Sequence, residues 1–363
     1  MSNTAYLVLE NGKMFRGKSF GASLDNPVVG EVVFATGMTG YLETITDKSY
    51  FGQIVVQTFP LIGNYGVIES DLESDTITPK AYIVRSVCAN PSNFRSQGTL
   101  DAFLKSRGVA GLFDIDTRSL TKTIRESGVM NGFITAKPDD VDFAVLKNYK
   151  IKDAVKTTTC REIFHETTTM SPSAPRIVLM DYGTKSNIYR ELVARKCDVF
   201  ICPADTPFEQ IMSLSPNGIM LSNGPGDPED NPTEIATIKK LFEAKIPMFG
   251  ICLGHQLMAL AAGFKTEKMK YGHRGANQSV KNLKTGQVFI TSQNHGYAVV
   301  NDSINKRIGS PLFINVNDGT NEGIEYKLFP AFSSQFHPEA AAGPRDAAFL
   351  FDIFIEGVAA SCR

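Results

Sequence analysis

The chain has 363 residues, a formal net charge of −1, a hydrophobic fraction of 42% and a charged fraction of 21%. This length predicts two domains, and the composition is that of a chain able to bury ordinary cores. The near-neutral charge gives no electrostatic ground for a nucleic acid or an anionic membrane as a general partner. Residues 1–10 lack the basic and long apolar regions of a secretory signal, and no apolar run is long enough to span a bilayer. Cys88, Cys160, Cys197, Cys202, Cys252 and Cys362 are scattered without a Cys-x-x-Cys pair. That usage fits a reducing, cytoplasmic compartment rather than a disulfide framework. The five histidines include no His-x-x-x-His pair, so no metal site is expected.

In chain order, residues 6–10 and 14–20 flank Asn11-Gly12, a strong hairpin signal. Residues 30–41 read as an apolar strand entering a glycine-rich turn, and residues 53–59 and 81–88 as further strands. Helices are expected at 99–107 and 117–126, the second capped by Asp116 and stopped by Gly128. This half, residues 1–151, reads as a strand-rich α+β domain, and by chemistry alone it carries no catalytic set. Residues 152–175 are polar, Thr-rich and tipped with proline, which predicts a connector.

From 176 to 363 the rhythm becomes strand–helix. Strands are expected at 176–180, 197–202, 218–221 and 246–251, with helices at 187–195, 206–214 and 233–244. Short apolar strands alternating with helices predict an α/β domain, a mostly parallel sheet covered on both faces. Cys197 and Cys202 flank one such strand and read as core. Active groups of such sheets collect beyond the carboxyl ends of the strands.

One stretch stands out there. Gly250-Ile251-Cys252-Leu253-Gly254 joins an apolar run to a helix-forming run, in the frame of a nucleophile elbow with Cys in place of Ser. At a helix N-terminus the dipole and free N–H groups favour thiolate over thiol. A nucleophilic Cys needs a base and an orienting group. In His337-Pro338-Glu339 the proline holds the histidine extended, and residues two apart in extended chain share a face, so Glu339 can steer the His337 ring. The Leu253 N–H is the natural first oxyanion donor, and the loop Ser222-Asn223-Gly224-Pro225-Gly226 supplies a second. Gln256 can reach a polar substrate, whereas His255 reads as a structural hydrogen-bonder. Gln293-Asn294-His295-Gly296-Tyr297 reads as a tight, polar recognition turn.

Together, Phe-Gly-Ile-Cys-Leu-Gly-His-Gln, Ser-Asn-Gly-Pro-Gly-Asp-Pro and Phe-His-Pro-Glu resemble the class I glutamine amidotransferases, which use a Cys-His-Glu triad. In the first half, Gly30-Glu-Val-Val-Phe, Thr36-Gly-Met-Thr-Gly-Tyr, Cys88-Ala-Asn-Pro-Ser-Asn-Phe and Asp116-Thr-Arg-Ser-Leu-Thr are similar to the small, glutamine-hydrolysing subunits of carbamoyl phosphate synthetases. The resemblance covers essentially the whole chain. It implies glutamine contacts at Ser49, Gly224, Gly226, Leu253, Gln256, Asn294, Gly296 and Tyr297, with Cys252, His337 and Glu339 as catalytic residues. It also implies a large partner subunit that carries ATP, Mg²⁺ and bicarbonate and uses the ammonia, with no cofactor in this chain. The product, carbamoyl phosphate, would feed pyrimidine and arginine synthesis. The sequence departs mildly from the family pattern at Tyr297, where Phe is frequent, and at Ala340-Ala341-Ala342-Gly343-Pro344. The rival readings are a free-standing glutamine or γ-glutamyl hydrolase and a non-catalytic subunit.

Overall fold

A computed structural model describes residues 4–166 and 174–361. The chain forms two compact units, Met1–Lys152 and Asp153–Arg363.

The first unit is built on strands β1 (Thr4–Leu9), β2 (Met14–Gly21), β3 (Val28–Ala35) and β4 (Gln53–Gln57), with helix α1 (Tyr41–Thr46) between the last two. There follow β5 (Leu61–Ile62), β6 (Ala81–Ile83), β7 (Ser86–Val87), α2 (Leu100–Ser106), β8 (Ala110–Phe113), α3 (Thr117–Ser127), β9 (Met130–Thr135) and α4 (Phe143–Asn148). Asn11-Gly12 turns β1 into β2 as expected, with Leu7 opposite Phe15. The expected strand at 81–88 is split into β6 and β7, and β7 leaves to pair with β5 in a separate two-stranded sheet. The remaining strands close a barrel in the order β1-β2-β8-β6-β4-β3-β9. Closure was not legible in the sequence, because it rests on β1 pairing with β9, strands far apart in the chain.

Period-2 alternation divides the strands between two apolar clusters. Val32, Ile54, Val56 and Ile83 join Leu120 and Ile124 of α3, whereas Val33, Val55 and Tyr82 join Tyr41 and Leu42 of α1 and Leu100 and Leu104 of α2. In α3 the Asp116 side chain accepts from the Ser119 N–H at 2.9 Å and Gly128 ends the helix at φ 93°. Leu120 and Ile124 are fully buried one turn apart, each worth about 1.5–3 kcal/mol of apolar transfer.

The second unit opens with α5 (Ala154–Thr158) and β10 (Phe164–Glu166). Both lie in the stretch read as a connector from its composition, and β10 pairs antiparallel with a strand of the main sheet. The Thr167-Thr168-Thr169 and Ser171-Pro172-Ser173 parts of that stretch, like Cys362, lie outside the described residues. Then come β11 (Arg176–Asp181), α6 (Ser186–Ala194), β12 (Asp198–Pro203), α7 (Phe208–Ser213), β13 (Gly218–Leu221), α8 (Pro232–Glu243), β14 (Met248–Ile251) and α9 (Leu253–Ala261). Strands β15 (Thr266–Asn282), β16 (Val288–Val299), β17 (Gly309–Asn315), β18 (Asn321–Tyr326) and β19 (Ala331–Ser334) precede the last helix, α10 (Phe349–Ser361).

The described residues of this unit form a ten-stranded sheet in the order β10-β12-β11-β13-β14-β19-β18-β17-β15-β16. The run from β12 to β19 is parallel, and the strands beyond β19 are antiparallel. Alternate residues feed opposite faces. Val178, Ile219, Leu221 and Met248 pack with Ile238 and Leu241 of α8 and Leu257 of α9. Ile177, Leu179, Met220 and Ile251 pack with Ile188 of α6 and Phe351 and Phe354 of α10. The parallel run is thus covered on both faces, as its uninterrupted apolar strands require.

Candidate active site

Strand β14 ends at Ile251 and α9 begins at Leu253, so Cys252 alone makes the bend. Its φ of 54° and ψ of −103° are unusual for a residue with a Cβ, a conformation that costs about 1–3 kcal/mol and persists only where its surroundings enforce it. They do so here. The Cys252 N–H donates to the Ser334 carbonyl at 2.8 Å, and its own carbonyl accepts from the Gln256 N–H at 3.2 Å. The flanking glycines are obligatory for space. A Cβ on Gly250 would stand 2.5 Å from Met258 Sδ, and one on Gly254 would stand 2.4 Å from the Leu221 carbonyl oxygen. The Gly254 N–H in turn donates to the Ser222 carbonyl at 3.0 Å. The Gly-x-Cys-x-Gly spacing is therefore a packing requirement of a strand, a bend and a helix pressed together.

Parallel pairing of β14 with β19 aligns Ile251 with Ser334. Cys252 and the His337 loop consequently leave the carboxyl ends of neighbouring strands. The His337 N–H donates to the Ser292 carbonyl at 2.9 Å, which ties this loop to β16. His337 Nδ1 lies 2.6 Å from Glu339 Oε1, and both side chains are fully buried. A carboxylate can only accept, so Nδ1 carries the proton. Nε2 then keeps a lone pair, and this buried nitrogen has no hydrogen-bond partner among the described residues. The expected pairing of His337 with Glu339 is thus present. Cys252 is itself 2% exposed, with Sγ 3.7 Å from the Asn294 carbonyl oxygen. Cys197 and Cys202 have their thiols pushed up to about 12 by burial, which makes them inert core residues, as expected.

Sequence reasoning missed Lys185. It is 4% exposed at the exit of β11, with Nζ 3.6 Å from Glu339 Oε1 and donating to the Ala340 carbonyl at 3.4 Å. Asn187 Nδ2 donates to the Glu339 carbonyl. Burial alone would raise the Glu339 pKa, but His337 and Lys185 outweigh it and hold the carboxyl below its ordinary value. The available signal was positional: a lysine in a short polar turn just past the carboxyl end of a parallel strand.

The glycine loop is stitched to that same exit. Asn223 Oδ1 accepts from the Lys185 N–H at 3.0 Å, and Ser222 Oγ accepts from the Tyr182 N–H at 2.9 Å. A Cβ on Gly224 would lie 2.2 Å from the Tyr182 carbonyl oxygen, and Gly226 has φ 89°. Both glycines are thus needed for the loop's path beside Leu253.

Residues 293–297 are not a tight turn. They lie within β16, where Asn294 faces Arg274 and His295 faces His273 across an irregular pairing with β15. The turn-like composition misled because the irregularity sits in the partner strand, between Lys268 and His273. Gln256 Nε2 donates to the Tyr297 carbonyl and to Gln335 Oε1, both at 2.9 Å, which binds α9 to this strand. Asn294, Gly296 and Tyr297 are therefore carried on β16 beside the elbow. His255 is structural as expected: its Nδ1 meets Ser333 Oγ at 2.8 Å, and burial lowers its pKa to about 3, so the ring is neutral. Ser49 belongs to the first unit, in a 3₁₀ turn spanning Lys48–Tyr50, where its N–H donates to Asp47 Oδ1 at 2.8 Å. Among the described residues no helix is long and apolar enough to cross a membrane.

Two family models match the chain: "Glutamine amidotransferase class-I" over residues 178–357 and "Carbamoyl-phosphate synthase small chain, CPSase domain" over residues 7–134. The carbamoyl phosphate synthase small chain of Fusobacterium nucleatum is 49% identical over 97% of this chain and 97% of its own length. The pyrimidine-specific small chain of Bacillus subtilis is 51% identical over 96% of this chain and 94% of its own. Among solved structures, a glutamine amidotransferase from Thermotoga maritima aligns with a TM-score of 0.37 and 18% identity, over 46% of this chain and 76% of that one. With half of its residues shared along nearly its full length, the chain belongs to the carbamoyl phosphate synthase small chain family.

Proposed function

We propose that this chain is the glutamine-hydrolysing subunit of a carbamoyl phosphate synthase. The observation that carries the reading is the buried His337–Glu339 pair at 2.6 Å, held beside the bend that bears Cys252. Cys252 Sγ attacks the side-chain amide carbon of L-glutamine while His337 Nε2 takes the thiol proton. The N–H groups of Leu253 and Gly224 stabilise the oxyanion, a contribution of about 2.7–4 kcal/mol per donor in comparable sites. Collapse of the tetrahedral adduct breaks the C–N bond, His337 returns the proton, and ammonia leaves a glutamyl thioester. Water, activated by His337, hydrolyses the thioester to glutamate. Gly226, Gln256, Asn294, Gly296 and Tyr297, all of the second unit, hold the amino-acid part of glutamine.

The ammonia passes to a large subunit that binds ATP, Mg²⁺ and bicarbonate and makes carbamoyl phosphate in the cytoplasm. Kinship with small chains over the first unit as well as the second supports this over a free-standing glutamine or γ-glutamyl hydrolase, which would give residues 7–134 no task. Gentle purification from the native source tests it. The expected result is a stoichiometric, larger ATP-binding chain, with carbamoyl phosphate formed from glutamine. A chain that emerges alone and hydrolyses glutamine briskly would instead support the free-standing hydrolase.

A further inference from the structure

The cross-strand pair His273–His295 brings together two histidines that no short motif links, and Glu322 of β18 joins them. All three are more than nine-tenths buried. Each offers one ligand atom, and these atoms lie within 4.8 Å of one another.

Each of the three side chains also has an outer partner. His273 Nε2 lies 2.8 Å from Asp318 Oδ2, to which it can only donate. His295 Nδ1 lies 2.7 Å from the Tyr297 carbonyl oxygen, to which it too must donate. Asn315 Nδ2 donates to Glu322 Oε1 at 2.9 Å. Outer partners of this kind fix the tautomer and orientation of metal-binding imidazoles and carboxylates.

The atoms left over face one another. His273 Nδ1 stands 3.6 Å from Glu322 Oε1. Nδ1 and the second carboxylate oxygen, Glu322 Oε2, are both buried without a hydrogen-bond partner among the described residues. His295 Nε2 stands 3.0 Å from Gln293 Oε1. A gap of 3.6 Å exceeds a hydrogen bond. It is close to the roughly 3.4 Å that separates two ligands held at about 2.0–2.2 Å on one tetrahedral zinc ion.

We propose that His273, His295 and Glu322 form a divalent transition-metal site, of the two-histidine, one-carboxylate class that suits Zn²⁺, with Asp318 as the outer partner of His273. An open cleft of about 460 Å³ bordered by His273, Asp318, Lys268 and Tyr271 gives an ion its way in. His295 adjoins Asn294, whose carbonyl meets Cys252 Sγ, so the ion would brace β16 directly behind the elbow. The site does not depend on the hydrolytic reading.

The test uses the full chain carrying Cys252→Ser, freed of metal by a chelator and titrated with Zn²⁺ alone against a chromophoric competitor. One zinc per chain is expected. Asp318→Asn, a change at a half-exposed side chain, is expected to weaken binding about 10–100-fold, and Glu322→Gln to weaken it further. With Co²⁺ as probe, visible bands of a nitrogen–oxygen site without a thiolate charge-transfer band are expected. Absence of stoichiometric zinc, equal affinity in the parent and both variants, or a thiolate band would overturn the proposal.

Discussion

Glu339 carries a full charge in a fully buried place, and it is stable there because two cationic or proton-donating neighbours face it. His337 is one; Lys185, far away in the chain, is the other. A buried carboxylate left with a single partner loses much of what holds its pKa down. Lys185→Met should therefore raise the Glu339 pKa. Glu339 must be ionised to hold the His337 Nδ1–H, so activity is present above its pKa and lost as pH falls through it. The acid limb of kcat/KM is expected to move to higher pH, with kcat at neutral pH reduced about tenfold, equivalent to about 1.4 kcal/mol of transition-state stabilisation. Glutamine hydrolysis measured across pH decides this. A uniformly lowered profile with an unmoved acid limb would mean that Lys185 acts only on packing.

The elbow is the element on which the site depends, and its two glycines are there for different neighbours. Gly254→Ala drives a Cβ to 2.4 Å from a backbone oxygen of β13, which cannot swing aside. Gly357 also lies in a helix, α10, but is exposed, and a Cβ there meets nothing within 4 Å. The first substitution is expected to destabilise by about 1–3 kcal/mol. The second should stabilise by about 0.5–1 kcal/mol through helix propensity and the unfolded chain. Thermal unfolding of the two variants should displace Tm in opposite directions. A Gly254→Ala protein as stable as its parent would contradict the close-packed elbow. This element was legible from sequence because all its determinants are local: apolar run, Gly-x-Cys-x-Gly, helix formers. His337-Pro338-Glu339 was legible for the same reason, since extended backbone alone puts His337 and Glu339 on one side.

At the scale of the molecule, the parallel run of the second unit followed from its strand–helix rhythm, whereas the strands from 266 to 326 did not. The burial of β15 alternates poorly, and most of its first turns of chain are exposed or half-exposed; with little buried on one face, period-2 reading has nothing to hold. The polar Gln293–Tyr297 stretch was misread because Asn and Gly outweigh pattern in short windows, while its pairing with β15 is a distant contact. The His273–His295 pair and the closed barrel are invisible for one shared reason: each is a juxtaposition made by sheet register between segments that carry no mutual signal. Ser49 could be named only through family resemblance.

The proposed mechanism makes Cys252 the nucleophile that carries the glutamyl group. The direct measurement is acid quenching of the full chain during turnover of isotopically labelled glutamine, followed by mass spectrometry of its peptides. A labelled glutamyl thioester is expected on the peptide that contains Cys252, and for Cys252→Ser no adduct and no hydrolysis but retained glutamine binding. Near-normal turnover by Cys252→Ser, or label on a different cysteine, would contradict it.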